Sequence, residues 1–287
     1  MSDDGTREGQ NARKLAGAGA GAVAVLALAA GLIWSLFTSA TETPVRNTND
    51  AKPAATSTTE SNRREPSPST GTVLARRALE GLDSDKALTI TVVGDSTGDA
   101  DDEWVHLLAR VIEREHDRTV VYNAWDVTSL TYKPEVILGS GRSVRPVTIW
   151  NASAAGQGPF YSQVNLAVMA PQSSDLVIVN HGHNFTDAAS GVAKEVSLVA
   201  SIAAQQKARP AIAIILQNPR TTRAEAQDDN IRGLRAAFSK DEFALIDVAS
   251  SFRDKGQLGA LLLPDGVHPN AAGQVIWTDS VTSSLGL

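Results

Sequence analysis

The chain has 287 residues, 42% hydrophobic and 20% charged, with a formal net charge of −6. That is an ordinary globular balance, long enough for one or two domains. It contains no cysteine, which excludes disulfides, thiolate metal sites, a cysteine nucleophile and a lipid-modified cysteine.

Residues 1–72 carry equal numbers of acidic and basic side chains, so the whole negative charge lies in residues 73–287. No basic stripe is present, and nucleic acid is not expected as a partner. Residues 1–14 read as a short tail. Residues 15–37, "LAGAGAGAVAVLALAAGLIWSLF", contain no charge. As a helix rising about 1.5 Å per residue they would reach roughly 34 Å, enough to cross a bilayer core. Arg7, Arg13 and Lys14 precede this segment and no Lys or Arg follows until Arg46. The positive-inside rule then places residues 1–14 in the cytoplasm and the rest outside. The expectation is a transmembrane signal anchor; the alternative is a signal peptide cut near Thr38–Ala40. Residues 38–72, rich in Ser, Thr and Pro, read as a disordered tether.

A folded domain is expected over 73–287. Strands are predicted at 87–94, 118–124, 145–151, 174–182, 211–218 and 243–248. Helices are predicted at 101–116, with acidic residues in its first turn, and at 162–170, 187–208, 223–240 and 270–285. Residues 125–144 break this rhythm and read as a hairpin or ordered loop, either substrate-facing or structural. Continuous β-branched runs alternating with helices indicate an α/β fold, a mostly parallel sheet covered on both faces.

In such sheets ligands bind beyond the carboxyl ends of the strands. Four polar clusters fall there: Gly94-Asp95-Ser96, Asn151–Gly158, His181–Asn184 and Leu263–Asn270. Gly94–Gly98 fits G-x-S-x-G, the elbow of α/β-hydrolases. That elbow normally follows several strands, whereas Ser96 follows the first, so Gly98 reads as a flexible turn. In Asp265-x-x-His268 a carboxylate can reach the imidazole Nδ1 of its own loop, leaving Nε2 to take a proton from a serine. A hydrolytic serine needs that base, its orienter and donors for the oxyanion.

Other residues receive plainer readings. Asp95 is expected to anchor its turn. His181 and His183 have metal-pair spacing without an apparent third ligand, so no metal and no cofactor is expected. His106 and His116 are expected to face solvent. Asn151-Ala-Ser and Asn184-Phe-Thr match the glycosylation sequon incidentally. Trp125, Tyr132, Phe160 and Tyr161 either line a pocket or pack.

The blocks "GDST" (94–97), "NASAAG" (151–156), "GHN" (182–184) and "DGVHPN" (265–270) resemble, in this order, those of the SGNH hydrolases, or GDSL-type esterases and lipases. The resemblance covers residues 85–287. It implies a three-layer α/β/α sandwich with a flavodoxin-like sheet. It also implies Ser96 as nucleophile, His268 as general base and then acid, and Asp265 as orienting carboxylate. The oxyanion hole would be the backbone N–H groups of Ser96 and Gly156 and the amide of Asn184. Phe185 stands where the family usually has Asp. The expected function is a membrane-anchored, extracytoplasmic serine ester hydrolase. Its substrate would be a small-molecule, envelope-glycan, glycolipid or lipid ester. Acyl transfer through the same acyl-serine, or a non-catalytic envelope-binding domain, are the alternatives.

Overall fold

The computed structural model describes residues 67–84, 86–140, 145–185, 189–239 and 242–287. The expected tail, the anchor at 15–37 and the tether up to residue 66 lie outside the described residues. Among the described residues no helix is long and apolar enough to cross a membrane.

The described chain opens with a helix that overlaps the end of the expected tether, α1 (Thr70–Leu79), capped by the Ser69 hydroxyl on the Thr72 N–H. A 3-10 turn, Glu80–Asp83, leads into β1 (Leu88–Gly94). Then follow α2 (Trp104–Glu115), β2 (Val120–Asp126), β3 (Thr131–Tyr132), β4 (Val136–Leu138), β5 (Val147–Ser153), α3 (Pro159–Met169) and β6 (Leu176–Asn180). The remainder is α4 (Ala189–Ala204), β7 (Ala211–Leu216), α5 (Ala224–Phe238), β8 (Ala244–Asp247), α6 (Val248–Asp254), α7 (Leu258–Leu261) and α8 (Ala271–Leu285).

The strands form one sheet in the order β3-β2-β5-β1-β6-β7-β8, with β4 also on β2. All pairings are parallel except those of β3 and β4 with β2. Residues 125–144 are thus, where described, a structural edge: β3 and β4 cover the otherwise open side of β2, a device that removes an unpaired edge.

Alternation along the strands feeds two cores. Ile90, Val92, Ile178, Ala213 and Ile215 point to one face, packed with Leu108 and Ile112 of α2 and Trp277 and Val281 of α8. Val93, Val177, Val179, Ile212 and Ile214 point to the other, packed with Leu166 of α3, Val196 of α4 and Leu234 of α5. Burial on both faces is why these strands read as unbroken apolar runs. The result is the expected three-layer sandwich.

The helix predicted from 101 starts at Trp104, with no acidic residue in its first turn. Asp101 and Asp102 lie before it, and the Trp104 N–H is instead accepted by the Gln274 Oε1 of α8 at 2.9 Å. Two further expectations fail on this side of the sheet. His106 is half-buried edge-on against Tyr122, with centroids 5.0 Å apart. His116 is largely covered, with Nδ1 2.9 Å from the Asp83 carboxylate.

Candidate active site

The register places three loops side by side. Gly94, the last residue of β1, pairs with Ser153 at the end of β5 and with Asn180 at the end of β6. Sequence order jumps here from one side of β1 to the other, the switch point at which an open α/β sheet leaves a crevice. From these level ends emerge Asp95–Gly98, Ala154–Gly158 and His181–Asn184.

The first loop is tied down by Asp95, which is fully buried. Its Oδ1 accepts the Thr97 N–H at 3.2 Å and the Thr97 hydroxyl at 2.8 Å. Gly98 is not a flexible turn. A Cβ there would meet Val105 at 2.9 Å and the Ser153 hydroxyl at 3.1 Å, and its carbonyl accepts the Asn151 amide at 2.6 Å. The position demands a small residue for close packing. Asn151 is buried, with its amide also donating to Tyr122 Oη at 2.7 Å, so its side chain works inside the fold.

The fourth loop arrives from the far end of the sequence. Leu263 N–H donates to His268 O at 2.7 Å and Gly266 N–H to Leu263 O at 2.9 Å, closing residues 263–268 into a compact turn. Asp265 Oδ1 accepts the N–H groups of Val267 and His268 at 2.8 and 3.0 Å. Gly266 has φ +69°, and a Cβ there would lie 2.2 Å from Thr221 Oγ1. Asn270 caps α8 by accepting the Ala272 and Gly273 N–H groups. Nearly every residue of "DGVHPN" is therefore fixed by local bonding.

This turn carries His268 back to Ser96. The Asp265 Oδ2 lies 2.6 Å from His268 Nδ1, and His268 Nε2 lies 2.8 Å from Ser96 Oγ. Burial pushes the Asp265 carboxyl up, but the His268 bond and the two backbone N–H groups outweigh it and hold the group below the usual carboxylate range. An ionised carboxylate is acceptor-only, so Nδ1 carries the proton and Nε2 accepts from the Ser96 hydroxyl.

Gly156 has φ +72° with open space where a Cβ would stand. Asn184 is exposed and its amide donates to Gln157 O at 3.1 Å. The structure thus joins Ser96, His268 and Asp265 in one hydrogen-bonded line and sets Asn184 against the Gly156 loop. Asp99, half-buried, is pushed up mainly by burial and also feels Asp95, His268 and Lys133, so charge near the site includes Lys133 from the β3–β4 segment.

His181 and His183 are buried and go to different partners: His181 Nε2 to Ser162 Oγ at 2.8 Å, His183 Nε2 to Asn218 O at 3.0 Å. Burial lowers both to about 4, so both are neutral at pH 7. Among the four aromatics, Trp125 Nε1 donates to Tyr161 Oη at 3.0 Å, Tyr132 packs edge-on between Trp125 and Trp150 and donates to Met169 O, and Phe160 is exposed.

One further group at the site carries no sequence motif. Residues 217–222, following β7, touch every loop of the site except that of Gly156. Asn218 Nδ2 donates to Val267 O at 3.0 Å, Thr221 N–H to Gly266 O at 2.8 Å and Arg220 Nη1 to His183 O at 3.1 Å. The only cue was position, since these residues too stand at the carboxyl end of a strand.

No protein-family model matches the chain, and no curated protein sequence matches it. Solved structures do. A two-domain esterase active on acetylated mannans is 14% identical with a TM-score of 0.55, over 76% of this chain and 54% of its own. The chain therefore spans about half the length of that esterase. A putative GDSL-like lipase from Parabacteroides merdae is 13% identical with a TM-score of 0.53, over 70% of this chain and 96% of its own. A lipase/acylhydrolase from Enterococcus faecalis is 13% identical with a TM-score of 0.51, over 69% and 95%. The chain has the fold of the GDSL-type, or SGNH, esterases and lipases.

Proposed function

We propose that this domain, on an SGNH-hydrolase fold, is a serine ester hydrolase working through an acyl-serine intermediate. The observation that carries the reading is the line Asp265–His268–Ser96, with contacts of 2.6 and 2.8 Å. Ser96 Oγ attacks the ester carbonyl carbon while its proton passes to His268 Nε2. Negative charge develops on the carbonyl oxygen, where the N–H groups of Ser96 and Gly156 and the Asn184 amide would receive it. One amide hydrogen of Asn184 goes to Gln157; the other remains available. The carbon–oxygen bond to the alcohol then breaks and His268 returns its proton to the leaving oxygen. Water repeats the sequence on the acyl-serine, giving the acid and free Ser96.

The His268 and Asp265 side chains are 29% and 46% exposed. Water can therefore reach the base that would activate it for deacylation. The mannan-active esterase noted above and the uncharged segment 15–37 support the finer reading: an extracytoplasmic enzyme, anchored by 15–37, acting on O-acyl groups of an envelope glycan or glycolipid.

The test is hydrolysis of a short-chain aryl ester by the full chain and by Ser96→Ala. The variant is expected to lose at least about 10³-fold in kcat. Equal rates in the two proteins would overturn the assignment.

A further inference from the structure

Gln217 is buried, one residue past β7, and bonds to two site loops at once. Its Nε2 lies 3.0 Å from Asp95 Oδ2, 3.2 Å from Thr97 Oγ1 and 3.0 Å from Asn180 Oδ1. Its Oε1 accepts the His183 N–H at 2.7 Å. The orientation is fixed by the partners: a carboxylate oxygen needs a donor and a backbone N–H needs an acceptor. Asp95 precedes Ser96, and His183 precedes Asn184. One amide therefore bridges the residue before the nucleophile and the residue before the proposed oxyanion donor.

We infer that Gln217 is a positioning residue that sets Ser96 against Asn184, through Asp95 on one side and the His183 backbone on the other. It touches no substrate. A carbonyl or hydrocarbon in its place leaves Asp95 Oδ2 or the His183 N–H without a partner, and a buried unpaired group moves its loop or draws in water. Because attack needs near-contact geometry, displacement of about 1 Å can cost about 100-fold in rate. The inference rests on the ester-hydrolase reading for its kinetic readout and on hydrogen-bond geometry for its structural one.

Two variants separate positioning from mere stability. Gln217→Met keeps the shape and removes both bonds; kcat for an aryl ester is expected to fall about 10- to 100-fold with KM nearly unchanged. Gln217→Glu can imitate the amide only while protonated, with its O–H toward Asp95 and its carbonyl toward the His183 N–H. The groups around that pair are Asp99, His181, His183, Arg220 and His268, and they are shared with the wild type. The ratio of Gln217→Glu to wild-type kcat is therefore expected to fall as pH rises. A flat ratio across pH, or wild-type kcat in a folded Gln217→Met, overturns the inference. Should the wild-type chain hydrolyse no ester, the functional reading fails separately. Positioning is then read from the ¹⁵N shift of His268 Nε2, which is expected to change in Gln217→Met as the Ser96 contact is lost; an unchanged shift overturns it.

Discussion

Asn184, the proposed oxyanion donor, is tied to the fold by its loop more than by its own side chain. Its side chain is exposed and its amide donates to the Gln157 carbonyl; its loop is held instead by Gln217 and Arg220 acting on His183. Asn184→Ala therefore has no core contact to lose, and its Tm is expected to stay within a degree or two. Its kcat is expected to fall about 10²–10³-fold, the usual effect of deleting one oxyanion donor. Steady-state kinetics beside a thermal melt checks both halves. Gly266 is the opposite case. Its φ of +69° and the 2.2 Å approach to Thr221 Oγ1 leave no room for a methyl. Gly266→Ala strains the backbone by about 1–3 kcal/mol and pushes on the turn that aims His268. Urea unfolding should register the loss of stability, and turnover should drop with it.

At the scale of elements, the start of α2 sets two effects against each other. A carboxylate before a helix is usually favoured by the dipole, by about 0.3–1 kcal/mol. Glu103, the N-cap, is buried beside Asp99 and Asp102, and burial pushes its carboxyl up to about 8. Desolvation wins. The folded state keeps a proton that the unfolded chain has already lost, so this contribution is full below about pH 4.5 and is lost as pH rises through 8. Glu103→Gln keeps an acceptor for the Ala100 N–H and has nothing to ionise. Its Tm gain over wild type is expected to be larger at pH 8 than at pH 5. Elements also decided what the sequence disclosed. The parallel strands were legible because burial on both faces makes them predominantly apolar and β-branched, with few polar residues such as Thr91, Asn123 and Asn151 inside them. Helix α1 was not: its buried face is Gly71, Ala75 and Leu79, and with two of these three positions small it shows no apolar stripe; Gly71 is needed where a Cβ would stand 2.1 Å from the Phe243 backbone. Helices α6 and α7, of 7 and 4 residues, are too short for a period of 3.6 to show. In the candidate site, Asp265 and His268 were legible because they share one turn. Gln217 was not, because its partners Asp95 and His183 lie 122 and 34 residues away.

Across the whole molecule, the carboxyl edge of the sheet holds a buried polar layer: Asp95, Asn180, His181, His183, Gln217 and Asn218 are all nearly inaccessible. Polar side chains survive there only where partners replace water. That makes the edge sensitive to added charge. His181 and His183 each have one ring nitrogen bonded and the other, Nδ1, buried without a partner. Neutral imidazole tolerates this; imidazolium does not, because the second N–H would also be buried. Burial accordingly lowers both groups from 6.5 to about 4. The unfolded chain then binds protons that the folded one refuses, so the contribution is full above pH 6.5 and is lost as pH falls toward 4. For His181 alone the loss is roughly 3 kcal/mol. Its effect is opposite in direction to that of Glu103, so the two can be told apart by which side of neutrality each moves. His181→Gln retains an amide as hydrogen-bond partner for Ser162 Oγ without a site to protonate. Urea unfolding of this variant at pH 7 and pH 5 should show a smaller fall in stability between the two than the wild type shows. An equal fall in both proteins would assign the acid sensitivity to other groups.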